Sequence, residues 1–175
     1  MPDNEILVER KKHKFPRLSI ENFPPKEIGN TNATILVSTD VRPSEEELLV
    51  RKAVTNIFPS INFQLTNNTL FGRSTQLTDL NYFSERLLKQ EILDAARRIV
   101  TKKIRKNGNN STDNDYIEFR INKQTAFIGK IVFCSEDESP LGPISVKIVS
   151  THINTIIDGY FPKYEWFTLE KEAND

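Results

Sequence analysis

The stretch Ile144-Ser145-Val146-Lys147-Ile148-Val149 decides the fold, because apolar and polar residues alternate through its first five positions. Successive side chains of a β-strand point to opposite faces of a sheet, so this alternation predicts a strand with one buried face. The segment Pro140-Leu141-Gly142-Pro143, directly before it, has the composition of a tight turn. Further upstream, residues 128–134 and 116–121 have the same strand-like character and predict two more strands of the sheet.

Three strands are expected in the N-terminal half as well. The β-branched run at 33–41 predicts the first. Residues 61–65 alternate strictly, and residues 69–72 form their expected hairpin partner. The two segments are joined by Asn67-Asn68, residues that favour the tight turns of hairpins.

Helical periodicity lies between the predicted strands. Apolar residues recur every three or four positions from 48 to 58 and again from about 80 to 105, the second region having a break near Gln90-Glu91. A short helix is expected at 153–158. Strands and helices in this order predict an α+β fold, with a single mixed or antiparallel sheet and helices packed on one of its faces.

The chain is expected to divide into three regions. Residues 1–32 are rich in proline and bases, which predicts a flexible N-terminal extension. Residues 33–165 are expected to form a single α+β domain, and residues 166–175 an acidic tail. No apolar run approaches the ~20 residues that cross a bilayer, and no secretory signal is evident, so we expect a cytoplasmic protein without a membrane partner.

Residue types that carry catalysis are scarce. Cys134 is the one cysteine, which excludes a disulfide framework and a cysteine-cluster zinc site. His13 and His152 are the two histidines, and no glycine-rich phosphate loop is present. We therefore expect no enzymatic activity, no catalytic residue, no metal and no cofactor. The acidic turn Glu136–Glu138 leaves one alternative, a small metal-dependent enzyme, although three adjacent carboxylates are more typical of a solvated turn.

Charge is balanced over the whole chain but not along it. The 24 Lys and Arg and 24 Asp and Glu give a net charge of zero, which excludes binding to polyanions by bulk charge. Residues 84–106 nevertheless hold eight bases and three acids, whereas residues 111–175 hold six bases and eleven acids. The basic segment predicts a surface that contacts RNA phosphates, the alternative being a solvated helix face. Its predicted RNA-contacting residues are Arg86, Lys89, Arg97, Arg98, Lys102, Lys103, Arg105 and Lys106.

Several segments together resemble a known family. They are Asn56-Ile57-Phe58-Pro59, Gln90-Glu91-Ile92-Leu93-Asp94-Ala95-Ala96-Arg97, Asn122-Lys123-Gln124-Thr125-Ala126-Phe127-Ile128-Gly129 and Asp137-Glu138-Ser139-Pro140-Leu141-Gly142-Pro143-Ile144. In this order, across residues 33–162, the chain resembles an archaeal family of small proteins of unknown function, domain-of-unknown-function family fifty-four. The resemblance implies a fold like that of the large-subunit ribosomal protein that binds 5S ribosomal RNA, and it implies RNA binding by analogy of fold.

Among the residues that match the family, Lys123 and Gln124 are the side chains most readily assigned to a ligand. The alternative for both is a structural one, in which they bond to loop carbonyls. The leading hypothesis is therefore a non-enzymatic protein that binds structured RNA. The main alternative is a protein-interaction module that forms a homodimer through its complementary charged segments or an exposed sheet edge.

Overall fold

The computed structural model describes residues 23, 24, 28, 31–106 and 114–164. Six strands and five helices follow one another along these residues. The strands are β1 (Ala33–Asp40), β2 (Phe63–Thr66), β3 (Thr69–Ser74), β4 (Ile104–Arg105), β5 (Asp115–Asn122) and β6 (Pro143–Ser150). The helices are α1 (Glu47–Ile57), α2 (Asn81–Lys89), α3 (Leu93–Lys102), α4 (Lys123–Phe127) and α5 (Ile153–Tyr160), and a short 3₁₀ helix at Leu77–Leu80 precedes α2.

The strands form one six-stranded sheet in the order β2-β3-β1-β6-β5-β4. Every neighbouring pair in this sheet is antiparallel. The first and last long strands, β1 and β6, lie side by side at its centre, with Val37 opposite Val146. The expectation of an α+β fold with one antiparallel sheet is confirmed.

Burial alternates along the central strands, which shows that the helices cover one face of the sheet. Ile35 and Val37 on β1 are fully buried, whereas Leu36 between them is partly exposed. The same alternation runs along β5 and β6. One face of the sheet therefore packs against the helices, as the alternation of apolar and polar residues in the sequence predicts.

Aromatic rings fill the space between the sheet and the helices. The Phe83 ring on α2 stacks on Phe58 with a centroid distance of 5.3 Å and on Phe119 of β5 at 5.7 Å. Phe161, which follows α5, meets Phe83 edge-on at 6.0 Å. All four side chains are at most 1% exposed. Burying each ring contributes about 1.5–3 kcal/mol, so this cluster holds α2 and the C-terminal helix against the sheet.

Two local predictions are confirmed. Asn67 and Asn68 connect β2 to β3 with φ angles of 49° and 60°, the left-handed geometry of a tight hairpin turn. The long helical region is broken where expected, because α2 ends at Lys89 and α3 begins at Leu93. Glu91 in the break has a φ of 57°.

The predicted strand at 128–134 is wrong. Residues 123–127 form α4, since the Asn122 side chain caps it by accepting the backbone N–H groups of Gln124 and Thr125 at 2.9 and 3.1 Å. The chain that follows is irregular, and Phe133 makes one isolated bridge to Ile121. Ile131 in this segment is buried in the core, whereas Ile128 and Val132 are exposed.

The helical prediction also ran too far at its C-terminal end. α3 stops at Lys102, and residues 104–105 are the short strand β4, in which Arg105 pairs with Tyr116. The backbone carbonyl of Val100 accepts the N–H of Lys103 at the helix end. Arg105 thus belongs to the sheet and not to a helix face.

Of the predicted domain limits, the N-terminal extension falls mostly outside the described residues, and the acidic tail at 166–175 lies wholly outside them. Phe23 is described and is 8% exposed, packed with the core. Asn32 is held by the Ser150 hydroxyl, which donates to its carbonyl at 2.7 Å. Within the described part of the chain, no helix is long and apolar enough to cross a membrane.

Candidate nucleic-acid interface

The helix α3 separates an apolar face from a basic one. Its buried residues Leu93, Ala96 and Val100 are spaced by three and four and pack on the core. Arg98 and Lys102, four residues apart, are exposed on the opposite side. The side chains of residues four apart are neighbours on a helix, so these two bases form a pair one turn apart.

Further bases continue this surface beyond the end of α3. Lys103 directly follows the helix, Arg105 lies on β4, and Lys106 comes after β4, the last two being exposed. None of Arg98, Lys102, Lys103, Arg105 and Lys106 forms a salt bridge with another described residue. We call these five residues the α3 basic cluster. Cations near a helix C-terminus interact favourably with its dipole, which stabilises them there whatever their role.

A groove runs beside α3. It has a volume of about 520 Å³ and is lined by Arg98 and Lys102 together with Arg97, Thr101, Asp94 and Lys163. The Asp94 carboxylate accepts the backbone N–H of Tyr164 at 3.0 Å. Lys163 was not among the residues singled out from the sequence, since it lies near the C-terminus, far from the basic segment. The groove is a concave basic surface of the kind that phosphate groups fill.

Arg97 lines the groove but is bound by the C-terminal helix. Its Nη1 donates to the carbonyls of Phe161 and Ile157 at 2.9 and 3.4 Å, and its Nη2 pairs with Asp158 at 2.6 Å. The guanidinium therefore binds the C-terminal end of α5, where the Ile157 carbonyl also accepts the backbone N–H of Phe161. Arg97 and Arg98 are adjacent in sequence but point about 100° apart on the helix, which gives them different roles.

Arg86 and Lys89 belong to α2, before the break. Arg86 Nη2 donates to the carbonyl of Gly129, so this side chain connects α2 to the residues after α4. Gly129 has a φ of +76°, and a Cβ on it would lie 2.7 Å from Arg86 Nη2. Lys89 is exposed in the last turn of α2. The structure does not bring Arg86 together with the α3 basic cluster, because the two line different depressions of the surface.

Lys123 is buried, with a side chain 3% exposed. Its Nζ donates to the carbonyls of Asp40 and Leu141, both at 2.7 Å, and pairs with the Glu45 carboxylate at 3.0 Å. These bonds use the three protons of the ammonium group and join the end of β1 to two turns. The geometry favours the structural alternative for Lys123.

Gln124 differs from its neighbour in that its side chain is exposed. It lines an apolar depression of about 380 Å³ between α1 and α4 with Leu49, Val50 and Phe127. This depression is separate from the α3 groove and shares no lining residue with it.

Cys134 and the acidic turn Glu136–Glu138 lie in one segment of the chain. Burial raises the pKa of the Cys134 thiol, and the charge of Glu138 raises it further. The Glu138 carboxylate accepts the N–H of Ser135 at 2.6 Å, which lowers its pKa, and Glu136 faces Arg120 at 3.4 Å. Over the described ranges, no group of three His, Cys, Asp or Glu side chains is placed to hold a metal ion.

Comparison with known proteins gives a consistent result. A family model described as RNA binding matches residues 34–150. A UPF0201 protein of Sulfurisphaera tokodaii is 37% identical over 134 residues, which cover 74% of this chain and 87% of the relative. A crystal structure of a protein described as an uncharacterized UPF0201 protein superposes with a TM-score of 0.61 at 31% identity, covering 74% of this chain and 94% of that one. A crystal structure from Archaeoglobus fulgidus, assigned to family DUF54, shares the fold with a TM-score of 0.51 at 22% identity and covers 67% of this chain and 83% of its own.

Proposed function

The chain belongs to the UPF0201 family of archaeal proteins, and we propose that it is a non-enzymatic protein that binds structured RNA through the α3 basic cluster. The family model, described as RNA binding, covers α3 and all of the sheet except the first residue of β1. Within the cluster, Arg98, Lys102, Arg105 and Lys106 are the bases expected to contribute most, because they are exposed. Lys103 and Arg105 extend the surface toward the sheet edge.

The observation that carries this proposal is the absence of acidic partners for the cluster among the described residues. By contrast, Arg51, Arg97 and Arg120 each pair with a carboxylate. A base that already has a carboxylate partner gains less from an RNA phosphate, because the pair must first be broken. The cluster can neutralise phosphates directly and release the counterions condensed on the RNA.

Cys134 and His152 support a non-enzymatic role. A thiol with a raised pKa is mostly protonated near neutral pH, and the thiolate is the form that acts as a nucleophile. His152 is exposed before α5, and its Nδ1 lies 2.8 Å from the Thr151 hydroxyl. In the described part of the chain, no third side chain is hydrogen-bonded to the His152 ring, whereas nucleophilic sites use such a group to orient the base.

A salt titration of RNA binding tests the proposal. The probe is a fluorescent RNA hairpin with an internal loop, and its anisotropy is measured with the full-length protein. The double variant R98Q/K102Q is compared with R73Q/K130Q, which removes two exposed bases elsewhere and changes the net charge equally. Each phosphate contact contributes about 0.7–0.9 to the slope of log K against log salt, so R98Q/K102Q is expected to lower the slope by about 1.5.

The control variant is expected to keep the wild-type slope. Equal slopes for all three proteins would contradict the proposed interface, and undetectable binding of the wild type at low salt would contradict RNA binding itself.

Self-association remains the second candidate, and the outer strand of the sheet favours it. β2 is at one edge of the sheet, and Leu65 on it is 41% exposed. An exposed edge strand offers unpaired backbone groups to a second chain. Light scattering at low and high salt tests it: a dimer together with no RNA affinity would favour this candidate over RNA binding.

A further inference from the structure

A second basic depression lies on the helical side of the molecule, where α1, α2 and the end of α4 meet. It has a volume of about 360 Å³ and is lined by Lys52, Asn56, Tyr82, Arg86 and residues 127–129. We call it the α1–α2 depression. It shares no lining residue with the α3 groove, so it is a separate feature of the surface.

The charged residues that line this depression are both cations. Lys52 is exposed on α1, and its Nζ lies 4.8 Å above the centre of the Phe127 ring. Arg86 reaches the same place from α2. Among the residues that the structure describes, no carboxylate lines the depression, so the local charge favours an anion.

Arg86 is held in place by one of its N–H donors, which leaves others for a ligand. Its recorded hydrogen bond is the one from Nη2 to the carbonyl of Gly129. Its Nε is buried and has no hydrogen-bond partner among the described residues. A guanidinium carries five N–H donors, and a planar group fixed at one end presents the others in a defined direction. Gly129 keeps this arrangement open, since a side chain there would collide with Arg86 Nη2.

The remaining wall offers surfaces for a flat ring. Tyr82 is 37% exposed, and the Arg86 guanidinium carbon lies 5.7 Å from the centre of its ring. Ile128, in the turn after α4, also lines the depression and is 66% exposed. Exposed aromatic rings beside cations are the usual platform on which unpaired bases stack. Both Asn56 Nδ2 bonds go to carbonyls of α4, to Phe127 at 2.7 Å and to Ala126 at 3.2 Å, so Asn56 holds the wall rather than the ligand.

From these contacts we propose that the α1–α2 depression binds one unpaired nucleotide of the RNA, with its phosphate on Lys52 and Arg86 and its base on Tyr82. This inference rests on the proposed function and names a second contact of the same RNA. A volume of about 360 Å³ is at the lower end of ligand sites, about 300–1,000 Å³, which suits one nucleotide better than a duplex. The α3 basic cluster would then hold a paired segment while this depression holds a looped-out residue.

A titration followed by ¹H–¹⁵N NMR tests the site on the full-length protein. The probes are adenosine 5′-monophosphate and adenosine. The monophosphate is expected to shift the backbone signals of Tyr82, Ile128 and Gly129 in a saturable way. The variants K52Q and Y82A are each expected to weaken its binding about tenfold, the size of one charge-assisted contact or one stacked ring. Both side chains are exposed, so neither change disturbs the core.

Controls separate this site from the α3 basic cluster. The variant R98Q/K102Q is expected to bind the monophosphate as the wild type does, and adenosine is expected to bind about tenfold more weakly than the monophosphate because it has no phosphate. Equal binding by K52Q, Y82A and the wild type would overturn the site, and so would shifts confined to α3. The hairpin measurement is made on the same proteins. If the wild type bound the monophosphate at this depression but not the hairpin, the proposed function alone would be rejected. If it bound the hairpin but not the monophosphate, this inference alone would be rejected.

Discussion

At the scale of single residues, Lys123 is a buried side chain whose ammonium group is fully hydrogen-bonded. It is a charged group in the interior, and its stability there depends on Glu45 and on the carbonyls of Asp40 and Leu141. Replacement by methionine, Lys123→Met, keeps an unbranched side chain of similar length but leaves the Glu45 carboxylate, which is 9% exposed, without its ion-pair partner. We expect a loss of about 3–5 kcal/mol in the free energy of unfolding, measured by urea denaturation.

The double variant Lys123→Met with Glu45→Gln is the control for this prediction. Removing both charges eliminates the unpaired carboxylate, so the double variant is expected to be more stable than Lys123→Met alone. A loss below about 1 kcal/mol for the single variant would mean that the buried pair contributes little, contrary to this prediction.

Sequence patterns identified the bases but could not assign their roles. A helical wheel for a continuous helix from 80 to 105 puts Arg86, Arg97, Arg98 and Arg105 on one side. The structure separates them, since Arg86 binds Gly129, Arg97 binds the end of α5, and Arg105 lies on a strand. The partners of Arg86 and Arg97 are 43 and 64 residues away in the chain, so the periodicity of the helix itself could not predict them.

At the scale of elements, prediction succeeded where periodicity was long and turn residues were distinctive. β1, β5, β6 and the hairpin at Asn67-Asn68 are where the alternation placed them. It failed at 128–134, because a short apolar run has the same sequence pattern whether it forms a strand or is an irregular segment that follows a helix. The cap at Asn122, followed by α4, was the signal that would have separated these cases.

The break between α2 and α3 is held by a side chain, which gives a prediction at this scale. Gln90 Nε2 donates to the carbonyl of Ile131 at 3.0 Å, and Gln90 Oε1 accepts the N–H of the same residue at 2.9 Å. The variant Gln90→Ala removes both bonds, and we expect it to lower the free energy of unfolding by about 1–3 kcal/mol in urea denaturation.

The neighbouring variant Glu91→Gly is the matched control for this change. Glu91 has a φ of 57°, a conformation that glycine adopts without the penalty paid by other residues, so its stability should stay within about 1 kcal/mol of the wild type. If Gln90→Ala were as stable as Glu91→Gly, the backbone at the break would be held by α2 and α3 alone.

At the scale of the whole molecule, the resemblance to an archaeal family is confirmed by the match to UPF0201 proteins. The likeness to the 5S-RNA-binding ribosomal protein stays a prediction, as do the limits of the domain at 33 and 165. The family resemblance carried information that the residues alone did not. Composition excluded classes of function, but a net charge of zero did not distinguish a solvated helix from a phosphate-binding one.

The two oppositely charged segments of the chain meet in the structure, which gives the last prediction. Arg97 of the basic segment pairs with Asp158 of the acidic one at 2.6 Å, beside the α3 groove. Asp158 therefore reduces the positive potential of the surface that we propose for RNA. The variant Asp158→Asn keeps the bonds of Arg97 to the carbonyls of Ile157 and Phe161, so the guanidinium is expected to stay in place.

Removing this carboxylate is expected to raise the affinity for the RNA hairpin about two- to fivefold in dilute salt. A carboxylate about 4 Å from an RNA phosphate would repel it by about 1 kcal/mol in water. The gain should shrink between about 0.01 M and 0.15 M salt, since the Debye length falls from about 30 Å to about 8 Å. The control is Glu46→Gln, an exposed acid before α1 that changes the net charge equally. If both variants gained affinity alike, net charge and not the α3 groove would govern binding, and if neither gained, the RNA would bind away from Asp158.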